Sequence, residues 1–314
     1  MKKTLYAIGE ALIDFIPSEN GCNFSDVTSF SPKVGGAPAN VLGAFSKLGG
    51  KTQLITQLGD DPFGHKIKDY LEKYNVGTDN VMFSQNANTA LAFVSLGENG
   101  NRTFSFYRNP SADMLYSAEN INKISFDDCY ALHFCSVSLG NFPMKEAHKK
   151  AVEFAKDSGA IICFDPNLRF PLWKSTVELK KAVDEFLPLA DIIKVSDEEI
   201  GFITGTENIG EACERLLANS KLVICTCGEN GSYAYTGGIN AYAPSKDVAA
   251  VDTTGAGDAF IGSFLYNLQR EGYDKSNLQT LTKEKLTEFL YASNNYCAES
   301  VQGYGAIESY PDYI

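Results

Sequence analysis

Short, unbroken apolar runs recur along the chain, separated by longer stretches in which apolar and polar residues have helical spacing. The clearest runs cover residues 5–9 and 160–164. A run that is apolar at every position is typical of a strand in a parallel sheet covered on both faces. Further strands are predicted at 52–58, 130–135, 192–195 and 222–226, with helices at 37–48, 61–74, 144–158, 177–187 and 198–204. The pattern predicts an α/β fold with a mostly parallel central sheet.

The pattern changes between residues 89 and 107, where two strand-like runs flank the polar turn 98–101. This arrangement predicts a β-hairpin. Residues 15–34 are polar, alternating and rich in Ser and Asn, which favours an excursion at the edge of the fold over a crossover helix. We expect a single domain over residues 1–314. Segments of about 15–34 and 89–108 are expected to be inserted into its core as a small β-sheet lid.

Composition narrows the function classes. The 314 residues include 27 Lys and Arg against 39 Asp and Glu, a net charge of −12, which argues against nucleic-acid and anionic-membrane partners. Eight scattered Cys and three His give no zinc-ligand spacing, so we expect buried, reduced thiols. No long apolar segment follows the first residues, and we expect a cytoplasmic protein without a signal peptide or membrane span.

One stretch carries the strongest chemical signal. The small residues Thr254 to Gly257 precede Asp258 and the apolar run 261–265, which predicts a buried helix. Unpaired N–H groups and the helix dipole make such a first turn an anion site. A carboxylate beside a phosphate makes sense if it takes a proton from the attacking hydroxyl. The alternative is an ordinary N-capping Asp258.

A second Gly-rich stretch is Gly35-Gly36-Ala37-Pro38-Ala39-Asn40, with Pro at a plausible first helical position. A tight turn before a helix is the alternative interpretation. Two familiar nucleotide motifs are excluded: Phe45 stands where a P-loop ending in Lys51-Thr52 would need its first Gly, and no G-x-G-x-x-G is present.

These two stretches together resemble the signatures of the ribokinase-like (PfkB) family of carbohydrate kinases, and the resemblance spans nearly the whole chain. Residues 35–40 resemble the N-terminal signature and 252–258 the C-terminal one. Leu42 and Ser263 stand where the family usually has small residues. The resemblance implies a three-layer sandwich and ATP-dependent phosphorylation of a sugar, with Mg²⁺ as cofactor.

Site roles follow from the resemblance. It makes Asp258 the catalytic base, and it makes Gly255, Ala256 and Gly257 the anion hole for the transferring phosphoryl group. The positions expected to bind the sugar are Asp14, Gly35, Gly36 and Asn40. A carboxylate and a carboxamide suit contacts with neighbouring hydroxyls.

The resemblance also assigns nucleotide and metal positions. Lys194 and Glu199 belong to a segment that organises Mg²⁺ through water, with Ser196 replacing the usual Asn; Ser196 and Glu199 also fit a helix capping box. The residues expected to contact ATP are Thr226, Gly228, Gly231 and, in the adenine pocket, Asn294. The backbone carbonyls of Asp252 and Thr254 would hold a monovalent cation such as K⁺.

Substrate choice rests on Phe104, Arg108 and Arg169. The segments around the two Arg residues look most like fructokinases, which implies fructose as substrate and fructose 6-phosphate as product, with Phe104 covering the sugar. Related 2-keto-3-deoxygluconate kinases use two Arg to grip a carboxylate, and both Arg residues could instead form lid salt bridges. A nucleoside or aminoimidazole riboside kinase and a non-catalytic sugar sensor are further alternatives.

The lid hairpin also bears on assembly. Its exposed edge is available to pair with a second subunit, which would give a homodimer through the lid. The sequence leaves the oligomeric state open.

Overall fold

The structure is a computed structural model that describes residues 3–19, 21, 24–96 and 102–312, without the side chains of 95, 96 and 102–104. Its strands, in chain order, are β1 (Thr4–Ile8), β2 (Leu12–Pro17), β3 (Phe30–Gly35), β4 (Lys51–Gly59), β5 (Val81–Ser84), β6 (Leu91–Leu96), β7 (Arg102–Tyr107), β8 (Cys129–Cys135), β9 (Ile161–Asp165), β10 (Ile192–Ser196), β11 (Leu222–Thr226), β12 (Ser232–Thr236) and β13 (Ile239–Ala243).

The helices lie between these strands or follow them. They are α1 (Ala37–Lys47), α2 (Pro62–Lys73), the short α3 (Ala118–Ile121), α4 (Pro143–Asp157), α5 (Thr176–Phe186), α6 (Asp197–Thr204), α7 (Ile209–Leu217), α8 (Ala256–Arg270) and α9 (Lys283–Ser300). Single-turn 3₁₀ segments connect several of them.

A nine-stranded sheet forms the centre, in the order β13-β12-β11-β10-β9-β8-β1-β4-β5. Neighbouring strands from β11 to β5 are parallel, whereas β12 and β13 extend the sheet antiparallel to β11. The predicted mostly parallel sheet is confirmed. The antiparallel pair β12–β13 was not predicted, because both strands mix apolar and polar residues around Gly237-Gly238.

Successive residues of the central strands pack into different cores. Leu5 and Ala7 of β1 join the core formed with α1, α2, α8 and α9, whereas Tyr6 and Ile8 join the core formed with α4, α5, α6 and α7. Side chains of a strand alternate between the two faces of a sheet, so helices cover both faces. The predicted three-layer α/β sandwich is confirmed.

A separate four-stranded sheet has the order β3-β2-β6-β7. The predicted hairpin is present as β6–β7, although its turn 98–101 lies outside the described residues. The polar segment near 15–34 supplies the hairpin β2–β3, and β2 pairs parallel to β6. Both sequence segments that were expected to leave the core therefore meet in this one small sheet. Across the described residues, the helices are all too short or too polar to cross a membrane.

Candidate active site

An open cleft of about 720 Å³ lies where β9, β10 and β11 end and α8 begins. Its size falls within the roughly 300–1,000 Å³ typical of small-molecule sites, and its position is the usual one for ligands of parallel sheets. Many predicted site residues line this cleft: Arg169, Lys194, Glu199, Thr226, Gly228, Gly255, Ala256, Gly257 and Asp258.

The first turn of α8, here called the anion turn (residues 253–258), presents free backbone donors. Gly255 has φ 74° and caps the helix, and the N–H of Ala256 donates to the carbonyl of Thr253 at 3.2 Å. For the N–H groups of Gly255, Gly257 and Asp258, no acceptor is found among the described residues. Three donors at a helix N-terminus can bind a phosphate, whereas the donor of Ala256 is already engaged.

The carboxylate of Asp258 is buried beside these donors, with 8% of the residue exposed. The side-chain amide of Asn40 donates to its Oδ2 at 2.9 Å. Burial raises the pKa of Asp258 to about 6, although the hydrogen bond from Asn40 lowers it. A carboxylate with this pKa is ionised at neutral pH and basic enough to accept a proton from a hydroxyl.

Asn40 also offers an open acceptor. Its Oδ1 is buried and has no hydrogen-bond partner within the described part of the chain. Buried polar atoms are nearly always paired, so this atom marks a place where a ligand donor fits. A sugar hydroxyl is such a donor.

The Gly pair precedes α1, which carries Asn40, and packs against Asp14 and Glu10. A Cβ on Gly35 would lie 2.2 Å from Oδ2 of Asp14, and a Cβ on Gly36, which has φ 114°, would lie 2.6 Å from the carbonyl oxygen of Glu10. Backbone atoms and the positive φ require glycine at position 36, whereas a side chain at position 35 would displace the Asp14 carboxylate. Gly36 joins β3 to α1, and the Asp14 carboxylate lies against the bare backbone of Gly35.

A buried ion pair forms the floor of the cleft. Nζ of Lys194 lies 2.9 Å from Oδ2 of Asp165, and both residues are buried. Burial lowers the pKa of Lys194, but the attraction of the carboxylates of Asp165 and Glu199 is stronger. The pKa of Lys194 is therefore raised above its ordinary value. A Cβ on Gly257 would lie 3.1 Å from this Nζ, so the ammonium group is next to the anion turn. An ammonium ion there would stabilise negative charge on a bound phosphate.

Glu199 binds the backbone N–H groups of two residues that line the cleft. Its Oε1 accepts from the N–H of Leu168 at 2.6 Å and its Oε2 from the N–H of Ser196 at 3.0 Å. The predicted capping box with Ser196 is present. Asp197 and Glu198 also line the cleft beside it. Hydrated Mg²⁺ favours carboxylate oxygens and phosphates, so these residues fit an ion held through water.

The remaining nucleotide candidates divide into two groups. Thr226 and Gly228 line the cleft, and the Gly228 Cα faces open space. Gly231 packs against the backbone of β13, where a Cβ would lie 2.2 Å from the carbonyl oxygen of Ala243. The amide of Asn294 accepts from Ser232 and donates to the carbonyl of Ala243. In this structure Gly231 and Asn294 hold protein elements together.

Arg108 lies at the end of β7 in a buried polar network. Its guanidinium donates to the carboxylate of Asp113 and lies 3.5 Å from Oγ of Ser138, which donates to Glu10 at 2.9 Å. Burial, opposed by Arg108, raises the pKa of Glu10 to about 7. The ion pair agrees with the salt-bridge alternative for Arg108.

The other two substrate candidates differ in position. Arg169 is exposed, lines the cleft and lowers the pKa of Asp258 by its positive charge. The side chain of Phe104 lies outside the described residues. The sugar contacts of Arg108, Arg169 and Phe104 stay predictions.

The residues expected at the monovalent cation site are tied to the C-terminal segment. Oδ1 of Asp252 accepts from the N–H of Thr254 at 2.9 Å, and Oδ2 accepts from the N–H of Gly305 at 3.0 Å. These bonds fix the backbone just before the anion turn.

Sequence reasoning did not assign Asp165, although it ends a buried strand in the segment that was compared with fructokinases. Its position at a strand end was the available signal; its pairing with Lys194 joins two different strands and was not visible. Glu10 and Tyr310 lie in no recognised motif.

A cleft at the carboxyl ends of parallel strands, with an anion turn beside a buried base, is the site of a phosphotransferase that acts on a small hydroxyl-bearing molecule. The model of the pfkB family carbohydrate kinases matches residues 2–313. The chain belongs to the pfkB family of carbohydrate kinases, which confirms the resemblance found in the sequence.

Three relatives illustrate this membership. A probable fructokinase-2 of Arabidopsis thaliana is 42% identical over 312 residues, covering 99% of this chain and 93% of that protein. A fructokinase from Xylella fastidiosa with bound ATP has a TM-score of 0.89 at 32% identity, covering 99% of this chain and 96% of that chain. A fructokinase double mutant from Vibrio cholerae O395, bound to fructose, ADP and a potassium ion, has a TM-score of 0.86 at 30% identity, with the same coverages.

Proposed function

We propose that this protein is an ATP-dependent fructokinase that transfers the γ-phosphate of ATP to fructose and yields fructose 6-phosphate and ADP. The observation that carries the proposal is the buried carboxylate of Asp258 beside the free N–H groups of the anion turn. The similarity to fructokinases over 99% of the chain supports fructose as the acceptor.

In the proposed reaction, Asp258 takes the proton of the attacking sugar hydroxyl. The hydroxyl oxygen forms a bond to the γ-phosphorus as the bond to the bridging oxygen of ADP breaks. The N–H groups of Gly255 and Gly257 and the ammonium group of Lys194 stabilise the charge on the phosphoryl oxygens. Asn40 holds the Asp258 carboxylate and accepts a hydrogen bond from the sugar.

Two cations belong to the proposal. Mg²⁺ would neutralise phosphate charge, held through water by Glu199. K⁺ would bind the backbone carbonyls of Asp252 and Thr254 and strengthen the field at the anion turn. Thr226, Gly228 and, after a local rearrangement, Gly231 and Asn294 would contact the nucleotide.

Charge favours fructose over 2-keto-3-deoxygluconate. The guanidinium of Arg108 is already paired with Asp113 and lies near Glu10. A ligand carboxylate would therefore meet a neutralised group rather than a free cation. An uncharged sugar needs only hydrogen bonds from Arg108 and Arg169.

The small sheet suits the roles of lid and subunit contact. It belongs to the same proposed single domain and would close over the sugar, with Phe104 excluding water. Phe93 and the exposed Tyr107 of this sheet and the exposed Phe24 of the turn between β2 and β3 form an aromatic cluster, with Phe93 in contact with both of the others. We propose that a homodimer covers them, which light scattering would test. A cytoplasmic location fits the use of ATP and the free thiols of the cysteines described.

ADP release across a panel of acceptors tests the proposal. The panel contains fructose, 2-keto-3-deoxygluconate, ribose, adenosine, aminoimidazole riboside and fructose 1-phosphate, each with Mg²⁺ and with or without K⁺. We expect the highest kcat/KM for fructose and stimulation by K⁺. A higher kcat/KM for 2-keto-3-deoxygluconate would overturn the substrate assignment. No ADP release with any acceptor, despite sugar binding, would favour a non-catalytic sugar sensor.

A further inference from the structure

The C-terminal segment, residues 301–310, is bonded both to the residues just before the anion turn and to the turn itself. The carbonyl of Val301 accepts from the N–H groups of Val251 at 2.7 Å and Asp252 at 3.1 Å. At the other end of the segment, the hydroxyl of Tyr310 donates to the carbonyl of Gly255 at 2.8 Å. The turn is therefore held from outside its own helix.

Tyr310 is itself firmly placed. It is 2% exposed, and Nζ of Lys47 donates to its carbonyl oxygen at 2.6 Å. A Cβ on Gly255 would lie 2.4 Å from the Tyr310 hydroxyl, which shows how closely the two residues pack. Burial raises the pKa of Tyr310 well above its ordinary value, so the hydroxyl remains a donor at working pH.

We propose that Tyr310 is a positioning residue for phosphoryl transfer, acting through the anion turn. The carbonyl of Gly255 and the N–H of Ala256 belong to one planar peptide unit, so a bond to the carbonyl fixes the orientation of that plane. The same carbonyl accepts the first bond of α8, from Ala259 at 2.8 Å. Fixing it anchors the first turn of α8, and the next two peptide units of that turn carry the free N–H groups of Gly257 and Asp258.

This inference rests on the proposed function. Tyr310→Phe removes only the hydroxyl. We expect the single-turnover rate of phosphoryl transfer to fall roughly 3- to 10-fold, as for one lost hydrogen bond, with the KM for fructose unchanged. Affinity for ADP with aluminium fluoride, a planar mimic of the transferring group, should fall by a similar factor, whereas affinity for ADP alone should not change.

Tyr296→Phe is the matched control. Tyr296 is a second buried tyrosine, its hydroxyl lies 3.4 Å from the carbonyl oxygen of Ala44, and its ring centroid is 6.1 Å from that of Tyr310. Both variants should lower Tm, but only Tyr310→Phe should lower the transfer rate. If Tyr310→Phe does not fold, Lys47→Met, which releases the Tyr310 backbone, is expected to slow transfer in the same way.

The outcomes are separable. An unchanged rate in Tyr310→Phe, or an equal loss in Tyr296→Phe, would overturn the positioning role. If the wild-type protein does not phosphorylate fructose, the substrate assignment fails, and the aluminium fluoride affinities still decide the role of Tyr310 because they require no turnover.

Discussion

The hydrogen bond between Asn40 and Asp258 should set the acidic limit of activity. It joins two buried side chains 218 positions apart in the chain, at 2.9 Å. Burial is the main reason why the pKa of Asp258 is raised, to about 6. The donor of Asn40 stabilises the ionised form and so keeps this pKa from rising further. Asn40→Ala removes the donor, and the pKa of Asp258 should then rise.

The size of the shift follows from the kind of bond. A hydrogen bond to a charged group contributes about 1.5–3 kcal/mol, and about 1.4 kcal/mol corresponds to one pKa unit. Water entering the space left by the amide would recover part of this energy. We therefore expect the acidic limb of kcat/KM for fructose to move upward by about one pH unit.

The assay is kcat/KM for fructose between about pH 4.5 and 9, because this quantity reports the pKa of the free enzyme. The maximum value of kcat/KM should also fall, since Asn40 is proposed to bind the sugar. The shift of the acidic limb between wild type and Asn40→Ala reports the change in the pKa of Asp258. Ser46→Ala is the control: Ser46 lies on the same helix and donates to the carbonyl of Tyr74. A limb that stays in place in Asn40→Ala, or moves as far in Ser46→Ala, would show that the bond from Asn40 does not set the pKa of Asp258.

Two further predictions concern Glu10 and Gly257. Folding raises the pKa of Glu10 from an ordinary 4.5 to about 7. Between these pH values the folded protein keeps a proton on Glu10 that the unfolded chain loses, so the free energy of unfolding should fall as pH rises from 4.5 to 7. In urea unfolding, the free energy of unfolding of Glu10→Gln should equal that of wild type at pH 4.5 and exceed it by about 2–3 kcal/mol at pH 8. Equal free energies of unfolding at both pH values would contradict the raised pKa of Glu10. Gly257→Ala places a Cβ 3.1 Å from Nζ of Lys194, and we expect kcat to fall at least about 10-fold with little change in Tm; wild-type kcat would show that the anion turn tolerates a side chain.

Much of the fold could be predicted because the central strands are buried on both faces. The runs that became β1, β9 and β11 have no exposed position to interrupt them. The strand β5 was not predicted, since all four of its residues are only partly buried. The helix α9 was also missed, because its polar residues Ser293, Asn294 and Ser300 are buried among its apolar ones.

The candidate site could be predicted where its chemistry is local in sequence. The donors and the base of the anion turn all lie within residues 253–258, so the pattern of this one segment indicated both. Contacts between distant segments could not be predicted, such as those of Asp165 with Lys194 and of Tyr310 with Gly255. Pairing of this kind depends on the register of strands and on the path of the C-terminal segment.

Phosphorus NMR of fructose incubated with ATP, Mg²⁺ and the protein tests whether Asp258 catalyses phosphoryl transfer to fructose, with Asp258→Asn measured beside wild type. We predict a sugar phosphate that accumulates in step with ADP, a rate about 10²- to 10⁴-fold lower in Asp258→Asn, and similar fructose affinity in both by calorimetry. Equal rates in the two proteins would exclude Asp258 as the catalytic base, and fructose binding without any phosphorylated product would exclude a fructokinase.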